Sequence, residues 1–230
     1  MREQGSNRIF DATQETQPPY LYPDYVATRL RAPKKPLIIL PRTLSDTAGP
    51  AFGRGSVGDL DNDLTRQHEG EPLGERIIVT GRVLDGDGRP VRNSLIEIWQ
   101  ANEAGRYTDP TDDRENLPHD PNTFSGFGRS GTDADGRFSF VTVKPGPVPG
   151  PDRNLQAPHI MVSVFARGLL KRLVTRIYFP DESESNAQDP VLSSLEDPEF
   201  RKTLMANDEG GVLRFDVHLQ GDNQTAFFEL

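Results

Sequence analysis

Alternation of apolar and polar residues dominates the chain from Glu75 onward. Leu213, Phe215, Val217 and Leu219 alternate with Arg214, Asp216, His218 and Gln220, the period-two pattern of a half-buried strand. Arg137-Phe138-Ser139-Phe140-Val141 alternates in the same way and follows the turn sequence Asp133-Ala134-Asp135-Gly136. The run 76–84 ends at Asp85-Gly86-Asp87-Gly88, a second turn of this kind. With 94–101, 159–165, 173–179 and 225–229, these segments predict about eight strands. One helix is expected: Asp197 suits its N-cap, Pro198 its first position, and 199–206 follows. The pattern predicts an all-β chain built on one β-sandwich domain over 76–230, with long loops and one short helix.

The first 75 residues read differently. Gln17-Pro18-Pro19-Tyr20 and Tyr22-Pro23-Asp24-Tyr25 carry too much proline for a helix. Their aromatic density argues against plain disorder, so 1–75 is expected to be an extended N-terminal arm followed by loops. Such an arm lies on its own domain or on a neighbouring chain, which predicts an oligomer.

Composition narrows the function. The 230 residues contain no cysteine, which removes disulfides, thiolate metal sites and a cysteine nucleophile. A net charge of −9 disfavours nucleic acid and anionic membranes as partners. No run approaches about 20 apolar residues and no secretory h-region is visible, so a cytoplasmic location is expected.

No phosphate loop, GxSxG elbow or HExxH motif is present. Of the histidines, only His159 has a suggestive context, at the start of a predicted strand after a Pro/Gly-rich loop. Its same-face neighbour two residues on is Met161, a soft thioether that does not suit a hard ferric ion. His159 therefore reads either as a ligand or as a hydrogen-bonded histidine at a strand end. Tyr107 enters a polar loop after a strand and reads either as a phenolate ligand or as a packed aromatic. Trp99, the single tryptophan, is expected in the core. Asp85, Asp87, Asp133 and Asp135 admit a calcium reading, but Asp-Gly turns account for them.

A set of longer matches adds a family. Gly81-Arg82-Val83, Glu97-Ile98-Trp99-Gln100-Ala101-Asn102, Gly105-Arg106-Tyr107, Val143-Lys144-Pro145-Gly146, Ala157-Pro158-His159-Ile160 and Thr175-Arg176-Ile177-Tyr178-Phe179 occur in order. Through them the sequence resembles the intradiol ring-cleaving dioxygenases, specifically protocatechuate 3,4-dioxygenase subunits, over residues 17–230. The resemblance implies a β-sandwich. It also implies O2-dependent cleavage of protocatechuate to 3-carboxy-cis,cis-muconate at a non-haem Fe(III) held by two tyrosines and two histidines. The family pairs a β-type, iron-binding chain with an α-type chain that completes the pocket.

Carried over by position, the implied ligands fall on Tyr107, Val148, His159 and Met161, so two are retained and two are lost. The iron chain's supporting arginine and glutamine fall on Gln156 and Arg176. No metal is therefore expected in this chain alone, and no catalytic residue is assigned to it. Fe(III) is expected on a β-type partner. Segments such as Val164-Phe165-Ala166-Arg167-Gly168 resemble the α-type chain, whereas Tyr22-Pro23-Asp24-Tyr25 and His68-Glu69-Gly70-Glu71-Pro72 resemble the β-type one. The α-type pocket wall falls on Thr47, Gly49, Pro50 and Arg167, and Tyr25 matches a substrate-side position of the β-type arm. Arg167 would offer a planar fork to the carboxylate of an aromatic acid substrate, or else form a surface ion pair. Tyr107 and His159 are expected to survive as a hydrogen-bonded pair. The leading reading is a non-iron, α-type subunit, inactive alone. A self-sufficient ferric dioxygenase with atypical ligands, and a non-enzymatic, self-associating β-sandwich, are the alternatives.

Overall fold

The computed structural model describes residues 22–35, 56–112, 114, 117–118, 122–150 and 154–229. They fall into two units, one within 1–54 and one spanning 55–230, and each is considered by itself. In the first, residues 22–35 form successive turns around a single 3-10 turn, Val26–Thr28. The Thr28 hydroxyl holds it by bonding the carbonyls of Tyr22 and Tyr25.

The second unit is the expected sandwich. Its first strand, β1 (Arg76–Leu84), buries every second residue, as its alternation predicts. It pairs antiparallel with β4 (Arg137–Val143) and parallel with β10 (Val212–Arg214) and β11 (Val217–His218). A short β9 (Asn207–Asp208) extends β10. The opposing sheet runs β3 (Phe127–Gly131), β2 (Leu95–Trp99), β7 (His159–Phe165), β8 (Leu173–Tyr178), all antiparallel. A hairpin of β5 (Val148–Pro149) and β6 (Leu155–Gln156) stands beside it. The core lies between the sheets: Ile77, Val79, Phe140 and Leu213 from one face Ile96, Ile98, Ile160, Val162 and Ile177 from the other. Residues 56–75 join it through Leu64, which is fully buried and bonds the Val141 carbonyl.

The two Asp-Gly turns form as expected. Asp85 accepts from the amides of Asp87 and Arg89, and Asp133 from those of Asp135 and Arg137. These carboxylates close Asx turns.

Three expectations are corrected. Instead of one helix over 197–206 there are three short ones: α1 (Ser183–Gln188), α2 (Pro190–Ser194) and α3 (Pro198–Lys202). Asp189 caps α2 through Val191 and Leu192, as Asp197 caps α3 through Glu199. The strand expected over 211–219 is broken at Phe215 and Asp216, because the Asp216 carboxylate takes the Arg82 amide in place of a backbone carbonyl. Gly81 permits this close passage, since a Cβ there would collide with the Phe215 carbonyl. The segment 225–229 makes one bridge, Val174 to Phe228, rather than a strand.

Candidate functional site

The candidate site is built on the outer face of the β3-β2-β7-β8 sheet. Residues directly opposite one another across a ladder share a face. Met161 lies opposite both Trp99 on β2 and Arg176 on β8, and His159 lies opposite Tyr178. Residues two apart on a strand also share a face, so Trp99, His159, Met161, Arg176 and Tyr178 form one outer patch. Ile160 and Val162, between them, point into the core.

Tyr107 reaches this patch from the loop after β2. The Asn102 side chain organises the loop by accepting from the amides of Ala104 and Arg106. Gly105 sits at φ +76°, and a Cβ there would meet the Pro147 carbonyl, so only glycine fits. The Tyr107 ring stacks on Trp99 with centroids 5.8 Å apart and planes 9° from parallel. Trp99 is therefore half-buried and lines the site; it is not core. Its indole faces outward because it stands one residue out of phase with the buried Ile98. The Tyr107 amide donates to Asp112, whose carboxyl is held at about 2, chiefly by its hydrogen bond with Arg114. Trp99, Tyr107, Asp112, Arg114 and Pro149 line an open cavity of about 400 Å³.

His159 is 4% exposed, and its Nδ1 lies 2.8 Å from the Ala157 carbonyl. Burial, aided by the nearby charge of Arg176, lowers its pKa to about 4, so the ring is neutral at pH 7. With Nδ1–H donating to a carbonyl, the lone pair stands on Nε2. Burial raises the Tyr107 phenol above its usual value, against the opposing charges of Arg176 and Arg114. The expected Tyr107–His159 hydrogen bond does not form: the tyrosine stacks on Trp99 and the histidine turns to Ala157.

Around them runs a polar network that the sequence reading missed. Arg176 Nη1 donates to Gln156 Oε1 at 2.6 Å and to the Tyr178 hydroxyl at 3.2 Å. The Tyr178 hydroxyl donates to Asp189 at 3.3 Å. Asp189 has no exposed surface and also accepts from the amides of Ala157, Val191 and Leu192, each at 2.8 Å. The Asp189-Pro190 dipeptide, the same cap signature as Asp197-Pro198, was the available signal for it.

Val148 is buried and pairs with Gln156 in the β5–β6 hairpin. Arg167 is exposed in the turn after β7, beyond its far end from His159, and makes no ion pair among the described residues. Tyr25 is 63% exposed in the separate N-terminal unit. Thr47, Gly49 and Pro50 lie outside the described residues.

The donor set does not fit a ferric ion. A hard trivalent cation prefers anionic oxygen donors. The four positions marked by the resemblance supply one phenol and one imidazole, with the isopropyl group of a valine and a thioether at the other two. Among the described residues, no cluster of three or more His, Asp or Glu offers a substitute. No helix among them is long and apolar enough to cross a membrane.

Sandwich and comparison with known proteins agree on a class. The family profile described as Dioxygenase matches residues 47–221, so the chain belongs to the intradiol ring-cleaving dioxygenases, a family of oxidoreductases. Its relatives include alpha and beta chains of protocatechuate 3,4-dioxygenase, which imply a multi-subunit complex. It is 44% identical to the protocatechuate 3,4-dioxygenase beta chain of Burkholderia cepacia over 223 residues, 91% of this chain and 93% of the relative. It is also 40% identical to the protocatechuate 3,4-dioxygenase alpha chain of Pseudomonas putida over 206 residues, 84% of this chain and 99% of the relative. Residues 10–43 match the profile described as Protocatechuate 3,4-dioxygenase beta subunit N terminal. Among solved structures, the dioxygenase domain of a carbohydrate-binding fusion from Streptomyces sp. SirexAA-E superposes with TM-score 0.50 at 27% identity. That match covers 76% of this chain and 96% of the other.

Proposed function

We propose that this chain is a non-iron subunit of a protocatechuate 3,4-dioxygenase, α-type in its body and β-type in its arm. It completes the pocket in which an Fe(III)-bearing partner cleaves protocatechuate with O2 to 3-carboxy-cis,cis-muconate. The observation that carries this reading is the donor set: Val148 and Met161 stand where two ligands are required. Similarity to both alpha and beta chains supports a place in a mixed assembly. When iron is present on the partner, it supplies the activation of substrate towards O2.

What this chain contributes is binding. Arg167 lies eight residues along from His159, up to about 25 Å on an extended strand. That distance removes it from its own chain's patch and suits it to a pocket shared with a neighbour. There its unpaired guanidinium meets the substrate carboxylate with two parallel hydrogen bonds. Thr47, Gly49 and Pro50 remain candidates for the pocket wall, and Tyr25 for packing between chains.

The test is metal content and visible spectrum of the purified chain, followed by co-expression with a β-type partner. The reading expects a colourless, inactive chain that gives activity on pairing. Near-stoichiometric iron with a tyrosinate charge-transfer band in the chain alone overturns it. That outcome would favour a second reading, a self-sufficient ferric dioxygenase, to which the β-type arm and 44% identity to a beta chain lend support.

A further inference from the structure

The four positions marked as ligands are not simply depleted: an arginine stands opposite one of them and is linked to the others through hydrogen bonds, a ring contact and its charge. Arg176 is the cross-strand partner of Met161. Its guanidinium donates to Gln156, which is the cross-strand partner of Val148. It donates also to Tyr178, whose ring lies 5.7 Å from that of His159. Its charge is felt at both retained positions, Tyr107 and His159. On its remaining side the guanidinium stands 5.9 Å over the Phe228 ring. No carboxylate pairs with it among the described residues: Asp189 is one link removed, beyond the Tyr178 hydroxyl.

We propose that Arg176 is a built-in cation that stands in for the metal and keeps Fe(III) out of this chain, independently of the two lost ligands. The inference rests on the non-iron reading above and deepens it. A fixed positive charge has two effects here. It satisfies the polar groups Gln156 and Tyr178, which would otherwise be left without a donor. It also repels a trivalent ion in a poorly solvated patch, where opposing charges are weakly screened. Restoring ligands would leave both effects in place. Arg176 is thus a specificity-determining residue for metal, and not a catalytic one.

The experiment compares three versions of the full chain, each exposed to Fe(III) supplied as its citrate complex. Bound iron and the visible tyrosinate band are the readouts, with circular dichroism and gel filtration as checks of folding. The unaltered chain is expected to stay iron-free. The Val148→Tyr/Met161→His variant, with Arg176 kept, is expected to stay colourless. Adding Arg176→Gln is expected to give a coloured chain that holds Fe(III) at least about 10-fold more tightly, the scale of effects seen around metal ligands. A double variant that binds iron as well as the triple one overturns the proposal. So does a folded triple variant that binds none. If the β5–β6 hairpin does not accept tyrosine at position 148, Met161→His with and without Arg176→Gln makes the same comparison with three donors. Iron in the unaltered chain would instead overturn the non-iron reading, so the two failures are distinguishable.

Discussion

The two faces of β7 carry opposite kinds of information. Ile160, Val162 and Val164 are fully buried against the other sheet and need only be apolar and of the right size. His159 and Met161, on the alternate positions, belong to a patch whose members are fixed by particular hydrogen bonds and charges. The inner face explains why a sandwich forms. The outer face carries the positions on which the proposed non-iron reading rests. One strand therefore carries the core and the candidate site on side chains one residue apart, and each face should fail in its own way.

The largest expected effect is on the inner face. Ile160→Ala should cost about 2–5 kcal/mol in urea unfolding, since Ile160 has no exposed surface. On the outer face, the signature is pH dependence. His159 has a folded pKa of about 4 against an unfolded value near 6.5, so the unfolded chain binds more protons between them. The stability contributed by keeping His159 neutral is complete above pH 6.5 and is lost as pH falls towards 4, by on the order of 3 kcal/mol. Replacing His159 with glutamine should remove that slope in unfolding curves measured from pH 7 to 4. Asp189→Ala should cost about 2–3 kcal/mol by leaving buried donors of Ala157, Val191 and Leu192 unmatched, read by thermal unfolding. In a reconstituted complex, Arg167→Ala should raise KM for protocatechuate about 10-fold while changing kcat less, which steady-state kinetics would show. The smallest effect is expected at Met161→Leu, below about 1.5 kcal/mol, because a half-buried thioether accepts a similar volume. A Met161→Leu cost matching that of Ile160→Ala would break the contrast between the faces.

Legibility followed the same division. Strands β1, β4, β7 and β8 were readable because period-two alternation is imposed by burial on one face. The break at Phe215-Asp216 was not, because it depends on a side chain reaching an amide 134 residues away. α2 was overlooked although Asp189-Pro190 announces it; five residues are too few to show helical periodicity. At the candidate site, the positions Tyr107, Val148, His159 and Met161 are marked by local motifs through the resemblance. Their surroundings are not: the stack of Tyr107 on Trp99 and the Arg176–Gln156–Tyr178–Asp189 chain are products of register between segments distant in sequence. Trp99 was misplaced because a large aromatic on a strand says nothing about which face it occupies.

The pairing of β1 with both β10 and β11 bears on how the chain is made. The Arg82–Asp216 contact closes a loop of 134 residues, so the first strand of the sandwich must wait for nearly the last. During synthesis β1 can pair early only with β4, leaving its other edge open until residues beyond 210 have left the ribosome. Such long-range closure slows folding and exposes an apolar strand edge meanwhile. Expression at lower temperature, or alongside a partner chain, should therefore raise the yield of assembled protein.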